Sequence, residues 1–298
     1  AEAQALAEKK MVCAGKGSGG GNGADVPFGC YQIFGDLWIT QEAEAGDAGA
    51  YRRSLSLEEA VARTVYAAGG VEMVREVIAS FADDVVVVRI WTASNKPMPR
   101  TTIRLDRDAR HAATPWKNDG KRANPPLDAP QVNADSRDTG LYVLQGQLGQ
   151  GMRYGARMVV RAEGVDGAEA YIHQEEHEIR IAGASAITIH LALDTDYAPA
   201  QRLAGADAAA LKTWEQLRAD HVAAYRACRG SAALALPEKA DALPTDERLA
   251  ATRSGKPDTG LDALFFHYGQ YLLLCSSRPA ELLALDHAKY AAPSAAGA

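Results

Sequence analysis

The sequence predicts a mainly β protein in which an antiparallel β-sandwich precedes a small number of helices. From about residue 31, short segments rich in β-branched and aromatic residues are separated by Gly, Pro, Asn and Asp. No helical pattern lies between these segments, so βαβ crossover units are excluded and antiparallel pairing is favoured. Beyond Pro199 the spacing of the apolar residues becomes helical.

Ten segments are predicted as strands, because each is rich in strand-forming residues and is bounded by residues that favour turns. In the last of them Ile187, Ile189 and Leu191 alternate with smaller or polar residues, as in a strand with one buried face. The polar, proline-rich stretch 110–137 is too long for a hairpin loop and is predicted as an excursion from the sandwich. The ten segments are residues 31–40, 51–57, 61–67, 71–81, 85–93, 101–107, 141–148, 153–162, 169–181 and 186–193.

Three helices are predicted after the sandwich. The first has Asp207 as its N-cap and carries one apolar face. The second begins near Thr245 and ends at Gly255, a residue suited to the left-handed position after a helix. The third starts at Asp258 and is closed by Pro279. The apolar face of the first comprises Leu211, Trp214, Leu217, Val222 and Tyr225, and that of the third Leu261, Leu264, Phe265, Tyr268, Leu272 and Cys275.

The length of 298 residues favours two cores. We divide the chain into a flexible glycine-rich N-terminal segment (1–27), a β-sandwich domain (28–200), a linker-helix region (201–240) and the start of a helical domain (241–298). Residues 15–20 satisfy GxGxxG, but no strand precedes them and no amphipathic helix follows, as a dinucleotide site requires. No cofactor is therefore predicted.

Composition narrows the classes of partner. The formal net charge of -6 and pI of about 5.7 offer no broad cationic surface, which argues against nucleic acid. No run of about 18 apolar residues occurs, so no membrane span is predicted. The first residues lack the order of a signal peptide, but the chain does not begin with Met, which leaves the compartment unknown and a secreted or periplasmic parent open.

The acidic pairs of the sequence do not predict an acid–base site. Adjacent side chains on a strand diverge, so the pairs at 58–59 and 83–84 are predicted to form solvated faces. Asp194 and Asp196 could share one strand face, but turn formation at the end of a sheet explains both.

His173 and His177 suggest a metal hypothesis, because His at i and i+4 converge on a helix. Gln174 replaces the Glu that an HExxH site needs, and the flanking isoleucines indicate a strand, on which the two histidines would lie about 13 Å apart. Widely spaced cysteines without a CxxC pair add no zinc motif, so no metal site is predicted. His221 is predicted to hydrogen-bond at the junction between sandwich and helices, and His267 lies away from the main stripe of its helix.

Eight short sequence motifs, which we call boxes, follow one another between residues 31 and 279. They are Tyr31-Gln32 with Gly35-Asp36-Leu37-Trp38, YRRSLSL (51–57), Arg75-Glu76-Val77 with Ala79-Ser80, Thr195-Asp196-Tyr197, His221 with Tyr225, LPTDERL (243–249), FFHYGQYLL (265–273) and Ser276-Ser277-Arg278-Pro279. Together they resemble the boxes of glycoside hydrolase family 95, the α-L-fucosidase type, and LPTDERL is the most specific of them.

The resemblance implies a β-supersandwich, a helical linker and the first helices of an (α/α)6 barrel that is truncated here. The family's opening Asn-Glu-Asp-Thr-Leu-Trp box is missing, and the sequence departs from the family after Pro279. The implied activity is inverting release of terminal α-linked L-fucose, or a related L-galactoside, from a fucosylated glycan. The implied acid and water-positioning residues belong to barrel helices beyond residue 298, so no catalytic residue is assigned and the chain alone is expected to be inactive.

Arg278 is the candidate substrate-adjacent residue, because the resemblance places its loop toward the mouth of the barrel; capping of helix carbonyls is an equal alternative for it. Two other functions stay open, a non-catalytic carbohydrate-binding or partner-binding sandwich and a nonfunctional gene fragment. Self-association through the exposed helix 258–276 is also expected, because its apolar stripe would normally pack against later barrel helices.

Overall fold

Two antiparallel sheets and four helices make up the described part of the computed structural model, which covers residues 34–43, 51–94, 96–106, 139–147, 153–174, 178–196, 202–236 and 243–276. The strands are, in chain order, β1 (Asp36–Gln41), β2 (Arg52–Ser56), β3 (Val61–Ala68), β4 (Val71–Ser80), β5 (Val85–Thr92), β6 (Thr101–Asp106), β7 (Thr139–Gln147), β8 (Arg153–Gly164), β9 (Tyr171–Gln174), β10 (Ile179–Ala182) and β11 (Ala184–Thr195). Segments 1–27 and 110–137, together with Arg278 and Pro279, lie outside the described residues.

The strands form a four-stranded sheet in the order β1-β6-β10-β9 and a seven-stranded sheet in the order β2-β3-β4-β5-β11-β8-β7. The inner faces of the two sheets pack on each other, which confirms the predicted antiparallel sandwich. Because side chains alternate along a strand, every second residue of β5 and β11 enters this core and the residues between reach the outer face. The most deeply buried core residues include Ile90, Ile103, Met158, Ile179, Ile187 and Ile189.

The prediction of one strand over residues 169–181 is wrong. The chain reverses between Gln174 and Ile179, and β9 and β10 pair antiparallel, with Ile181 opposite Ile172. The spacing already contained this break, since Ile172 and Ile179 are seven residues apart and would point to opposite faces of a single strand. In the hairpin both pack against the sandwich core.

Four helices follow the sandwich in the described residues, after a 3-10 turn at Arg202–Ala204. They are α1 (Gly205–Ala210), α2 (Trp214–Arg229), α3 (Thr245–Arg253) and α4 (Thr259–Ser276). Helices α1 and α2 cover the outer face of the seven-stranded sheet and form a second core there, with Ile78, Val87 and Ala192 beneath Ala209 and Leu217.

The prediction of one helix with Asp207 as its N-cap is also wrong. Thr213 caps α2 in a capping box, in which its hydroxyl accepts from the Gln216 backbone N–H at 3.3 Å and the Gln216 side chain accepts from the Thr213 N–H at 2.9 Å. Asp207 lies inside α1 and pairs with Arg157, while Leu211 falls between the helices and is 81% exposed.

The ends of the last two helices agree with the prediction. Gly255 follows α3 with a φ of 89°, the left-handed conformation expected there. Asp258 precedes α4 and accepts a hydrogen bond from the Leu261 N–H at 2.9 Å. Within the described residues, no helix has the length and apolar character needed to span a membrane.

Candidate functional site

Helix α2 is held on the sandwich by the turn between β2 and β3. Nε2 of the buried His221 lies 2.9 Å from the Glu59 carbonyl oxygen and 3.1 Å from that of Ala60. Tyr225, one helical turn on, donates its hydroxyl to the Leu57 carbonyl at 3.0 Å. Burial lowers the pKa of His221, so the ring is neutral and Nε2 carries the hydrogen that the carbonyls accept. The predicted junction role of His221 is confirmed.

The acidic pair at 58–59 is divided between solvent and this junction. Glu58 is exposed, whereas Glu59 accepts from Arg218 at 2.6 Å and from Arg226 at 3.3 Å, both on α2. Arg218 also lies 3.5 Å from the buried Glu76 of β4. The prediction that both carboxylates of the pair are solvated is therefore wrong for Glu59. Folding brings two arginines of helix α2 to its carboxylate.

Asp83, the first residue of the pair at 83–84, also has structural partners. The side chain of Asp83 is only 7% exposed, and it accepts from Ser80 at 2.9 Å and from Lys212 at 2.6 Å. Lys212 also donates to Asp220 at 2.7 Å, and its hydrogen bonds to Asp220 and Asp83 raise its pKa. The prediction of a solvated face is therefore wrong for Asp83. Its partner Lys212 lies 129 residues further along the chain, so the local sequence gave no sign of the ion pair.

The carboxylates at the end of β11 have backbone partners. Asp194 accepts from the Thr195 N–H at 2.9 Å, and Asp196 accepts from the Arg153 N–H at 2.8 Å. Asp196 thereby closes the ladder between β11 and β8. Asp194 lies within β11 and the residues after Asp196 lie outside the described part, so the turn role of the two carboxylates stays a prediction.

His173 lies on β9, where its ring stacks on Tyr171 with centroids 6.2 Å apart and planes 9° from parallel. The predicted separation of about 13 Å from His177 assumed one continuous strand, but β9 ends at Gln174 and His177 lies outside the described residues. Among the residues that the structure describes, no three His, Cys, Asp or Glu side chains converge as a metal site.

His190 is a buried group that the sequence analysis did not single out. It lies on the outer face of β11 beneath the helices, and its Nδ1 is 3.2 Å from the Val159 carbonyl oxygen. Burial lowers the pKa of His190 to about 4, so the imidazole is neutral at ordinary pH. Its position on a predicted strand was the only sequence feature that could have indicated a buried histidine.

Helices α3 and α4 are joined by a salt bridge in which Arg248 donates two hydrogen bonds to Asp258, at 2.8 and 2.6 Å. One side of α4 contacts the chain after α2, where His267 lies 3.0 Å from the Leu234 carbonyl oxygen. The opposite side, which we call the outer face of α4, is exposed and carries Phe265, Phe266, Tyr268, Leu272 and Leu273. The predicted incomplete covering of this helix is confirmed, whereas Arg278 lies two residues beyond the described part and its role stays a prediction.

The four-stranded sheet carries a cavity of about 640 Å³ on its outer side, which we call the sheet cavity. It is lined by Thr40, Glu42, Arg100, Thr101, Thr102, Tyr171, His173, Glu178, Arg180, Ile181 and Ala182. The sheet cavity could not be predicted from the sequence, because its residues come from four strands whose pairing order cannot be read from the chain. The alternation of Arg180 and Ala182 with buried isoleucines was its one sequence signal.

Two protein-family models match the chain in succession. Residues 1–200 match "Glycosyl hydrolase family 65, N-terminal domain", and residues 213–285 match "Glycosyl hydrolase family 95 catalytic domain". The first match covers two thirds of the chain, and the second covers the linker helix α2 together with α3 and α4.

Two curated relatives are similar over most of the chain. The probable alpha-fucosidase A of Aspergillus niger is 28% identical over 276 residues, which covers 86% of this chain and 32% of the relative. The alpha-L-fucosidase 2 of Arabidopsis thaliana is 25% identical over 281 residues, covering 85% and 32%. The chain thus spans about a third of the length of these relatives. A solved structure of a putative kojibiose phosphorylase from human microbiome is 10% identical with a TM-score of 0.35, covering 58% of this chain and 22% of that one.

Proposed function

The chain belongs to the family described as glycosyl hydrolase family 65, N-terminal domain, and from this premise we propose that it is the sandwich and linker of an exo-acting α-L-fucosidase. The proposed substrate is a glycan that ends in α-linked L-fucose. The observation that carries the proposal is the succession of the two family matches along one chain, over a segment in which both curated relatives are named as fucosidases.

The geometry of the helices supports this assignment. The linker helix α2 is fixed to the sandwich through Glu59 and His221, so it offers a rigid base for whatever follows it. Helix α4 is apolar on its outer face, with Phe265 78% and Leu273 66% exposed. An exposed apolar patch of this size on a helix normally marks a surface that packs against another element or chain. We therefore assign this face to contact with further helices of a catalytic domain.

The chain by itself is proposed to lack turnover. Inversion at a glycosidic carbon requires an acid and a base across the sugar, about 6.5–9.5 Å apart. Three of the acidic residues weighed as candidates have structural partners: Glu59 holds helix α2, Asp83 holds Lys212, and Asp196 closes a strand ladder. Binding without preferential stabilisation of the transition state gives no catalysis.

A complementation assay tests the proposal. The purified chain is assayed with nitrophenyl α-L-fucoside, alone and after coexpression with the part of the Aspergillus niger relative that follows its matched segment. We expect hydrolysis only in the coexpressed sample. The matched control is the same fragment coexpressed with its own N-terminal third, which shows that the split enzyme can reassemble.

Three results would contradict the proposal. Turnover by the chain alone would show that it contains a catalytic site of its own. The assignment to fucosidases would also be wrong if the chain gave no hydrolysis of the fucoside on coexpression while the control pair did. The same holds if the coexpressed sample hydrolysed nitrophenyl α-D-glucoside faster than the fucoside.

A further inference from the structure

The outer side of the four-stranded sheet presents a continuous row of polar side chains. The strand register places Thr40 opposite Thr102, Thr102 opposite Arg180, and Arg180 opposite His173. One row therefore crosses β1, β6, β10 and β9, a span of about 14 Å at the usual strand spacing. Next to this row Ala182 offers only a methyl group beside Tyr171, which leaves the sheet cavity open at that point.

An aromatic pair forms one wall of the sheet cavity. The rings of Tyr171 and His173 are stacked nearly parallel on alternate positions of β9, and Tyr171 is 65% exposed. An exposed aromatic ring combines apolar contact area with a polar edge, and it loses little conformational entropy when a ligand packs on it. Such a wall suits a flat ligand with an apolar face and hydroxyl groups at its rim.

The charges of the sheet cavity are balanced. Two acidic residues, Glu42 and Glu178, and two basic residues, Arg100 and Arg180, line it, and the Arg180 Nε already donates to Glu178 at 2.6 Å. A site for phosphate or a carboxylate would instead place an excess of cationic donors around the ligand. The balanced set, with the hydroxyls of Thr40 and Thr102 in the polar row, offers donors and acceptors to a neutral ligand rich in hydroxyl groups.

We propose that the sheet cavity is a glycan-binding site that takes a short neutral oligosaccharide, with one sugar ring packed on Tyr171 and its hydroxyls hydrogen-bonded along the row from Thr40 to Arg180. The row is long enough for more than one sugar unit laid across the strands. This site serves to hold glycan on the sandwich, and it does not depend on the fucosidase proposal. Its binding is measured without turnover, so failure of either proposal leaves the other standing.

Titration of the purified chain followed by amide NMR tests the site. The probes are fucosyllactose, maltotriose and inorganic phosphate, each added up to about 20 mM, since weak glycan sites bind near the millimolar range. We expect saturable shifts at Thr102, Tyr171 and Arg180 with at least one neutral sugar. Tyr171→Ala should weaken that binding about tenfold or more.

Two further variants guard the result against loss of folding. Tyr51→Ala removes a tyrosine of similar exposure, 52%, that lies before β2 in the other sheet, and it should leave the affinity unchanged. Ala182→Gln fills the floor of the sheet cavity while keeping Tyr171, and it should also abolish the shifts. Absence of saturable shifts with both sugars, equal affinity in Tyr171→Ala, or stronger binding of phosphate than of sugar would each overturn the proposal.

Discussion

The Nε2 atom of His221 lies 2.9 Å from the carbonyl oxygen of Glu59, and this hydrogen bond joins the linker helix to a turn that precedes it by 162 residues. The turn needs such a partner because Ala60 adopts a φ of 52°, a left-handed conformation that costs free energy for a residue with a side chain. One neutral imidazole thus satisfies two carbonyls and fixes the position of the helix on the sandwich.

Replacement of His221 by Ala is expected to destabilise the protein by about 1–3 kcal/mol, because the Glu59 and Ala60 carbonyls would lose their partner inside a closed junction. His221→Gln should recover part of the loss through its side-chain amide. The measurement is urea unfolding followed by circular dichroism. His173→Ala, on an exposed strand position, is the control and should stay within about 0.5 kcal/mol of the parent. Equal stability of the His221→Ala and His173→Ala variants would show that the junction does not depend on this bond.

Stability should fall when the solution is acidified. The pKa of His190 in the fold is about 4, below its ordinary value of 6.5, so the unfolded chain binds the proton more readily than the folded one. The neutral His190 therefore makes its full contribution to the free energy of unfolding above about pH 6.5. This contribution is lost progressively between pH 6.5 and 4, and the total loss is on the order of 3 kcal/mol. His221, whose pKa is also lowered, acts in the same direction.

The charged groups that act on His190 are Arg161 and Arg89, which lower its pKa further, and Asp83, which opposes them. His190→Gln keeps a polar side chain but removes the titration. Thermal unfolding midpoints measured from pH 7.5 to 4 should therefore fall less steeply in this variant than in the parent. Identical slopes would mean that His190 does not titrate differently in the folded and unfolded states.

Gly164 ends β8 at a point where no side chain fits. A Cβ placed there would lie 1.8 Å from the Ala168 carbonyl oxygen, which is a backbone atom and cannot rotate away. We expect Gly164→Ala to destabilise the protein by about 2 kcal/mol or more. Gly269→Ala is the matched control, because its Cβ would meet nothing within 4 Å and Ala is the better helix former by about 1 kcal/mol. Thermal melts should shift in opposite directions for the two variants.

The outer face of α4 is expected to make the chain associate with itself when no catalytic domain covers it. Sedimentation velocity at increasing concentration should show dimers or larger species, since a contiguous exposed apolar patch favours association. The double variant Phe265→Gln with Leu273→Gln should shift the equilibrium to monomer. Leu211→Gln removes an equally exposed leucine elsewhere and should change nothing. A parent chain that stays monomeric throughout would contradict this expectation.

Several features of the fold were predictable because they depend on neighbours in the sequence. Period-two alternation gave most strands, Gly255 and Asp258 gave the ends of α3 and α4, and the helical period gave the change after the sandwich. The two errors in element assignment also had local signals that were missed. These were the odd spacing from Ile172 to Ile179 and the capping box that begins at Thr213.

The sequence by itself thus determined the sandwich, the helices that follow it and the family to which it belongs, since propensity, periodicity and motif order are properties of short stretches. Only the tertiary structure decided which carboxylates form ion pairs, because Glu59 and Asp83 obtain their partners from residues 159 and 129 positions away. It also decided the sheet cavity, whose walls join β1, β6, β9 and β10. Strand pairing order sets such neighbours, and it arises from packing of the whole chain rather than from local preference.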